Sequence, residues 1–342
     1  MKLRSDWHRM SDERLLDVRL CDLPLQIDGT ALEQRVRRLY RELERRGVRF
    51  KPHVWLSEEW FTPDGVPGFA IPFYLAHPRL VRLERKQMLE AEGGTTTECM
   101  RLLRHETGHA LNNAFRFHLK RKWQELFGSF ATPYPHSYRP RPTSRNYVLH
   151  LGAWYAQAHP AEDFAETFAV WLTPGSQWRR RYRGWAALRK LAYVNRLMQE
   201  MAGMPPRTRL RNQVEPLSRI RRTLREHYQR KRRYYTSAWP AVYDRDLRRI
   251  FSPQPQRRSR ATAAAFLRRH AADRFGVGPV PAEHGELAGI DAPGAVFAGV
   301  IDADHARDQL VAGRVARQTA RGGHGRRLHA AAHSAATPAR LA

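Results

Sequence analysis

The chain is poor in cysteine and contains no long apolar run. Cys21 and Cys99 are its two cysteines, and they stand too far apart in the sequence to resemble a metal-binding pair. We therefore expect no disulfide framework and a reducing compartment. The first residues are charged and do not form the apolar core of a signal peptide. No apolar stretch approaches the roughly 18–20 residues of a membrane span, so we expect a cytoplasmic protein with no membrane partner.

Acidic residues are also scarce. The chain has 33 Asp and Glu against 60 Lys and Arg, which gives a formal net charge of +27. Such an excess favours acidic partners, for example nucleic acid or an anionic surface, and says little about the fold. A hydrophobic fraction of 42% and nine tryptophans indicate a globular body and exclude a chain that is disordered throughout.

Changes in composition divide the chain into four predicted units. An N-terminal helical segment covers residues 1–48, and a core of mixed helix and strand covers residues 49–204. Residues 205–260 form a basic helical extension, because 17 Lys and Arg face four acids there. Residues 261–342 are rich in Ala, Arg, Gly and His, and we expect this low-complexity tail to be disordered.

The core shows patterns of both helix and strand. Short apolar runs near residues 53–56, 68–75 and 80–83 predict strands. Amphipathic patterns predict helices, among them one over residues 177–201. The predicted fold class is therefore α+β, with a small antiparallel or mixed sheet.

The most informative segment is the H-E-x-x-H sequence of residues 105–109, on a helix that Thr95 and Glu98 start with a capping box. His105 and His109 share a helix face, so both imidazoles can reach one ion at the roughly 2.0–2.1 Å of a zinc–nitrogen bond. Glu106 is displaced from them and is suited to take a proton from the water that zinc activates. The alternative is a surface helix with two unrelated histidines.

A catalytic zinc needs a third protein ligand, and no histidine follows the motif at the metzincin spacing. The segment His159–Leu172 predicts a second helix, with proline at its favoured first-turn position. Glu162 and Glu166 share one face of this helix. One carboxylate can bind zinc while the next orients a ligand histidine. The alternative is an ordinary solvated acidic face.

Residues 105–109 and 161–168 resemble a bacterial family of zinc-binding metallopeptidases. More distantly, they are similar to gluzincins such as the catalytic domain of anthrax lethal factor. The resemblance spans about residues 50–201 and is specific in its two motif helices. It implies a zincin-like fold with an active-site helix, a Zn²⁺ cofactor, and a peptide or protein substrate.

The resemblance also implies roles for residues around the second motif. It gives Glu162 as the third zinc ligand, Glu166 as a carboxylate that supports the ligands, and Tyr155 as the group that assists the reacting carbonyl. Asp163 departs from the apolar residue found at that place in lethal factor, so the third ligand is either Glu162 or Asp163. Tyr147 could take this role instead of Tyr155. The alternative for Tyr155 is that it simply packs in the core.

Two further segments and two further histidines bear on function. The loop of residues 133–142 is predicted as an ordinary connection, although it could line the cleft. The segment Ser218–Tyr235, which includes the basic run Arg219–Arg233, mixes arginines with Tyr228, Tyr234 and Tyr235. This pattern suits contacts with nucleic acid, but a solvated basic helix is the favoured interpretation. His159 is predicted to cap its helix and His150 to be structural.

Two classes of function therefore compete. The leading hypothesis is a zinc metallopeptidase in which Glu106 activates the water. The alternative is a nucleic-acid-associated basic protein whose zinc site is structural or inactive, and a peptidase recruited to nucleic acid combines the two. The intact Glu106 favours the enzyme, because a structural site has no need of a general base. The sequence leaves the oligomeric state open.

Overall fold

Helices form most of the structure, and one short sheet joins them. The computed structural model describes residues 6–135 and 138–237, and the predicted tail of residues 261–342 lies outside them, as does the end of the predicted basic extension. Within the described residues the α-helices are Asp12–Leu16 (α1), Ala31–Arg45 (α2), Pro78–Met88 (α3), Thr96–Phe115 (α4), Arg121–Phe127 (α5), Pro160–Leu172 (α6), Trp178–Arg181 (α7), Ala187–Glu200 (α8) and Leu224–Ser237 (α9). The strands are His53–Ser57 (β1) and Gly68–Pro72 (β2), and 3₁₀ turns lie at Trp7–Arg9, Leu20–Asp22, Phe73–Ala76, Phe117–Leu119, Tyr155–Gln157 and Leu217–Arg219.

The two strands pair in parallel, from His53 opposite Gly68 to Ser57 opposite Pro72. The prediction of an antiparallel or mixed sheet is therefore wrong for this strand pair. Parallel strands need a connection that carries the chain from the end of the first strand back to the level at which that strand began. Residues 58–67 provide it, and on the way Phe61 forms an isolated antiparallel bridge with β2.

The predicted strand at residues 80–83 is instead part of α3. His77 caps this helix, since its side chain accepts a hydrogen bond from the backbone N–H of Arg79. Pro78 occupies the first turn, where its fixed φ suits a helix. Leu80 and Leu83, three residues apart, are buried on one face, which is the spacing of a helix and not of a strand.

The two motif helices, α4 and α6, pack directly against each other. α4 begins at the predicted capping box, in which Thr95 and Glu98 each accept a hydrogen bond from the other's backbone N–H. The two helices cross at Gly108, where a Cβ atom would lie 2.8 Å from the Cα atom of Ala165. Any larger residue at this position of the motif would push α6 away from α4.

The predicted helix over residues 177–201 is interrupted. α7 ends at Arg181, Gly184 adopts a φ of +78°, and α8 begins only at Ala187. A positive φ suits glycine and does not continue a helix, so the prediction of one continuous helix is wrong. The apolar positions of α8 are buried as expected, namely Leu191, Val194 and Leu197.

One buried apolar cluster extends from Trp7 to Tyr228 and includes side chains from the first and the last helices. α9 packs against both α1 and α3. The predicted divisions after residues 48 and 204 stay predictions. Among the described helices, none combines the length and the apolar character that crossing a bilayer requires.

Candidate metal centre

α4 presents both motif histidines from a helix that is buried along almost its whole length. On its side facing α2, Arg104 forms a two-pronged ion pair with Glu42, with Nε–Oε2 and Nη2–Oε1 distances of 2.8 and 2.9 Å. This buried pair fixes the rotation of α4, because a displaced Arg104 would leave the Glu42 charge unpaired. The rotation in turn directs His105 and His109 toward α6.

Three atoms of the kind that bind zinc meet between α4 and α6. Nε2 of His105 and Nε2 of His109 lie 3.1 Å apart. Oε2 of Glu162 lies 3.1 Å from the first nitrogen and 3.2 Å from the second. A tetrahedral zinc ion with bonds of roughly 2.0–2.1 Å separates its ligand atoms by about 3.3 Å. All three side chains are buried, and this ligand triangle has the dimensions of one face of a zinc site.

Glu166, one turn after Glu162 on α6, contacts the far nitrogen of His105. Its Oε1 accepts a hydrogen bond from Nδ1 of His105 at 2.9 Å, and its Oε2 accepts one from the backbone N–H of Leu151 at 2.9 Å. With the proton on Nδ1, the neutral imidazole turns the lone pair of Nε2 toward Glu162 and His109. This is the tautomer that a metal ligand needs.

The ligand triangle has an excess of acceptors and attracts positive charge. Burial works to lower the pKa of His105, but the hydrogen bonds and charges of Glu162 and Glu166 outweigh it and hold this pKa well above its usual value. Burial likewise works to raise the pKa of Glu162, yet His109 and His105 hold it well below its usual value. Both shifts mean that the site stabilises a cation, either a proton on an imidazole or a metal ion between the ligands.

Glu106 is buried on α4, and a residue from the segment between the two strands holds its carboxylate. Thr62 Oγ1 donates to Oε2 of Glu106 at 2.7 Å. Asn113, one turn after the motif, donates to the carbonyls of Pro63 and Val66 at 2.9 and 3.0 Å and ties the same segment to α4. The sequence analysis missed Thr62, because no local pattern links it to a motif 44 residues away.

The two candidate tyrosines lie in different places. Tyr155 is buried on the 3₁₀ turn that packs against α6, and its ring centroid lies 5.7 Å from that of His105. Tyr147 lies against Lys190, whose Nζ is 4.4 Å from the ring centroid of Tyr147. The structure therefore brings Tyr155, and not Tyr147, next to the ligand triangle.

Asp163 follows Glu162 directly but has a different partner. Its Oδ2 lies 2.5 Å from Nζ of Lys190, and its Oδ1 accepts a hydrogen bond from Thr167 Oγ1 at 3.5 Å. Burial raises the pKa of Asp163 to about 7, against the opposing influence of the Lys190 ammonium. Successive helical residues project about 100° apart, so the structure brings Glu162 to the histidines and Asp163 to Lys190.

Tyr134 contacts the ligand triangle, and the sequence analysis missed it. Its hydroxyl donates to Oε1 of Glu162 at 2.6 Å. Its ring stacks on His159, with ring centroids 3.8 Å apart and planes 17° from parallel. The prediction of residues 133–142 as an ordinary connection is therefore wrong at this residue. His159 caps α6 as predicted, since its Nδ1 accepts a hydrogen bond from the backbone N–H of Ala161 at 3.1 Å.

His150, predicted to be structural, is buried and contacts the backbone of α4. Its Nε2 lies 3.0 Å from the carbonyl oxygen of Arg101 on α4, where a neutral ring donates a hydrogen bond. Burial lowers the pKa of His150 to about 4. The ring is therefore neutral at physiological pH and ties its loop to α4 without joining the ligand triangle.

Part of the basic segment Arg219–Arg233 is paired within the molecule. Arg222, Arg225 and Lys231 each contact carboxylates of the core or of α1. Tyr228 is fully buried, so its ring is not available for stacking on a base. α9 is thus a docked helix with one buried face, and the interpretation as a wholly solvated helix is wrong for that face.

Comparison with curated proteins and with solved structures finds no match. A comparison with models of protein families does find one, over a segment that holds α4, α6 and all three members of the ligand triangle. This segment, residues 82–176, matches the family described as "putative zinc-binding metallo-peptidase".

Proposed function

We propose that the protein is a zinc-dependent peptidase. The observation that carries the proposal is the ligand triangle of His105 Nε2, His109 Nε2 and Glu162 Oε2, with sides of 3.1, 3.1 and 3.2 Å. The family match over residues 82–176 supports the same activity. The proposal includes classification as a gluzincin with a zincin-like fold. It also includes a peptide or protein substrate and a cytoplasmic location.

Zinc suits this donor set better than calcium or magnesium. Two imidazole nitrogens and one carboxylate oxygen are ligands that zinc takes, whereas calcium and magnesium prefer sites built from oxygen. Three protein ligands are typical of catalytic zinc sites, and structural sites use four. When bound, zinc would lower the pKa of a water molecule and polarise the scissile carbonyl.

The chain's own residues would do the remaining work. Glu106 would accept a proton from the attacking water and deliver it to the leaving amine. Thr62, which donates to Oε2 of Glu106, would orient that carboxylate for the transfer. Glu166 would keep His105 in the tautomer that binds metal. The Tyr155 hydroxyl would donate to the negative charge that develops on the carbonyl oxygen.

A second candidate function is association with nucleic acid by a protein whose zinc site is structural or inactive. The exposed arginines of the segment Arg219–Arg233 favour it, among them Arg219, Arg221, Arg230 and Arg233. The intact Glu106 of the motif favours the enzyme, because a purely structural site has no need of a general base. The two functions are compatible if the basic segment recruits the peptidase to nucleic acid.

Glu106→Gln separates the two candidates. We expect the variant to keep its zinc and to lose at least about 100-fold in the rate of cleavage of a peptide library, since the amide cannot take up the proton. Glu98→Gln, which removes an exposed carboxylate from the first turn of the same helix, is the matched control and should cleave like the wild type. Unchanged cleavage by Glu106→Gln would refute this mechanism, and its retention of zinc must be shown in the same sample.

A further inference from the structure

Glu162 makes polar contacts through both of its carboxylate oxygens. Oε2 faces the two histidines at 3.1 and 3.2 Å. Oε1 accepts the hydroxyl of Tyr134 at 2.6 Å, a length typical of a hydroxyl that donates to an ionised carboxylate. The two oxygens of this side chain therefore have separate partners.

This separation matters because a carboxylate can bind a metal ion through one oxygen or through two. A second bound oxygen would take the position that a catalytic zinc site keeps open for water or substrate. A hydroxyl that holds Oε1 competes with that second mode. We propose that Tyr134 is a positioning residue that restricts Glu162 to binding the metal through Oε2 alone, an inference that rests on the proposed zinc site.

The start of α6 holds Tyr134 in place. Its ring stacks on His159, and His159 is fixed at both ring nitrogens. Nδ1 accepts a hydrogen bond from the backbone N–H of Ala161 at 3.1 Å, so Nε2 carries the proton that it donates to the carbonyl of Thr132 at 2.7 Å. Since Glu162 lies in the first turn of the same helix, Tyr134 and the carboxylate that it contacts share one support.

The chain that leads to Tyr134 also packs on this helix start. Gly128 adopts a φ of +105°, and a Cβ atom there would lie 3.2 Å from Cγ of Pro160. Phe130 stacks on His118, with ring centroids 4.4 Å apart, and its centroid lies 6.5 Å from that of His159. The segment before Tyr134 is therefore anchored at Gly128, Phe130 and the carbonyl of Thr132, and such anchoring is what a positioning role requires.

Tyr134→Phe tests the inference, because it removes the hydroxyl and keeps the ring that stacks on His159. The matched control is Tyr138→Phe, which removes from the same loop a hydroxyl that donates to the carbonyl of Ala153 at 3.0 Å. Both variants are made in the full chain. Zinc affinity is measured by competition with a chromophoric chelator near neutral pH, and the coordination number by the visible absorption of the chain loaded with Co²⁺.

We expect the zinc affinity of Tyr134→Phe to stay within about 10-fold of the wild type, because the added contact of Oε1 with the ion offsets the lost orientation of the carboxylate. Its Co²⁺ band should lose intensity, since the freed Oε1 of Glu162 joins the ion and raises the coordination number. Tyr138→Phe should match the wild type in both measurements.

An unchanged Co²⁺ spectrum in Tyr134→Phe would overturn the inference and leave the proposed zinc site intact. A wild-type chain that binds no zinc would overturn the site, and the inference with it. If circular dichroism shows that Tyr134→Phe is unfolded, X-ray absorption at the zinc edge of the wild type decides. One carboxylate oxygen bound to zinc is then the expected result, and two would contradict the inference.

Discussion

Two clusters of buried and half-buried polar residues hold carboxylates inside this protein, and they neutralise the negative charge differently. In the cluster beneath α9, Glu84 lies 3.1 Å from Nζ of Lys231. Nearby, Glu58 lies 3.0 Å from Nη1 of Arg222 and 2.8 Å from Nδ1 of His227. Each of these acids has a cationic partner supplied by the chain, as buried carboxylates usually do.

In the part of the chain that the structure describes, the candidate metal centre has no such lysine or arginine partner. Within residues 6–135 and 138–237, no lysine or arginine contacts Glu162 or Glu166; their partners are imidazoles, a tyrosine hydroxyl and a backbone N–H. Carboxylates that already have a cation from the chain need nothing more. Carboxylates that converge on neutral rings need a proton or a metal ion from outside. The comparison therefore distinguishes a cluster that docks a helix from one that could hold a metal ion.

Lys231→Met removes the cation that the chain supplies beneath α9. Its expected effect on stability is larger than that of His150→Gln, the second substitution that tests this comparison. Lys231 also lies 2.8 Å from Glu59, and without the ammonium the buried Glu84 is left unpaired. We expect the free energy of unfolding to fall by about 3–5 kcal/mol in urea titrations, equally with and without zinc. Arg232→Met, which loses a contact with Gln87 on the exposed side of α9, should change it by no more than about 0.5 kcal/mol. If zinc restored the stability that Lys231→Met loses, the distinction between the two clusters would be wrong.

His150→Gln should have a smaller effect, on the pH dependence of stability. It tests the comparison on the side of the candidate metal centre. The folded pKa of His150 is about 4, below the 6.5 of an ordinary histidine, so the unfolded chain takes up a proton first as the pH falls. The stability that this neutral ring contributes is complete above pH 6.5 and is lost as the pH falls toward the folded pKa.

Between about pH 7 and pH 4.5, the wild type should therefore lose about 2 kcal/mol more free energy of unfolding than His150→Gln does. Urea titrations of both proteins, with a chelator present, measure this difference. Glutamine can still donate to the carbonyl of Arg101, so its fold should persist. Identical pH dependence in the two proteins would show that His150 is not held neutral.

The sequence could predict those residues of the candidate metal centre that lie on the same helix. His105 and His109 lie on one helix and Glu162 and Glu166 on another, and the helical period fixes how residues four apart project. Tyr134 could not be predicted in the same way. It reaches Glu162 from a loop without periodicity, and only the packing of that loop on the start of α6 brings it there.

The fold shows the same limit. A histidine cap followed by proline begins α6 at residues 159–160 and begins α3 at residues 77–78. The histidine and proline at residues 77–78 therefore predict a helix as well as those at residues 159–160 do. They predict α3 better than the apolar run at residues 80–83 does, because that run is compatible with helix and strand alike. The parallel pairing of β1 and β2 depends on the path of residues 58–67, which no spacing in the sequence reveals.

Metal analysis of the purified chain tests the central claim most directly. Glu162→Ala and Glu84→Ala each remove one buried carboxylate, the first from the metal centre and the second from the cluster beneath α9. We expect a single zinc ion per chain in the wild type and in Glu84→Ala, and almost none in Glu162→Ala, because only Glu162 belongs to the ligand triangle. Equal zinc in the two variants, or a wild type without bound zinc, would contradict the account.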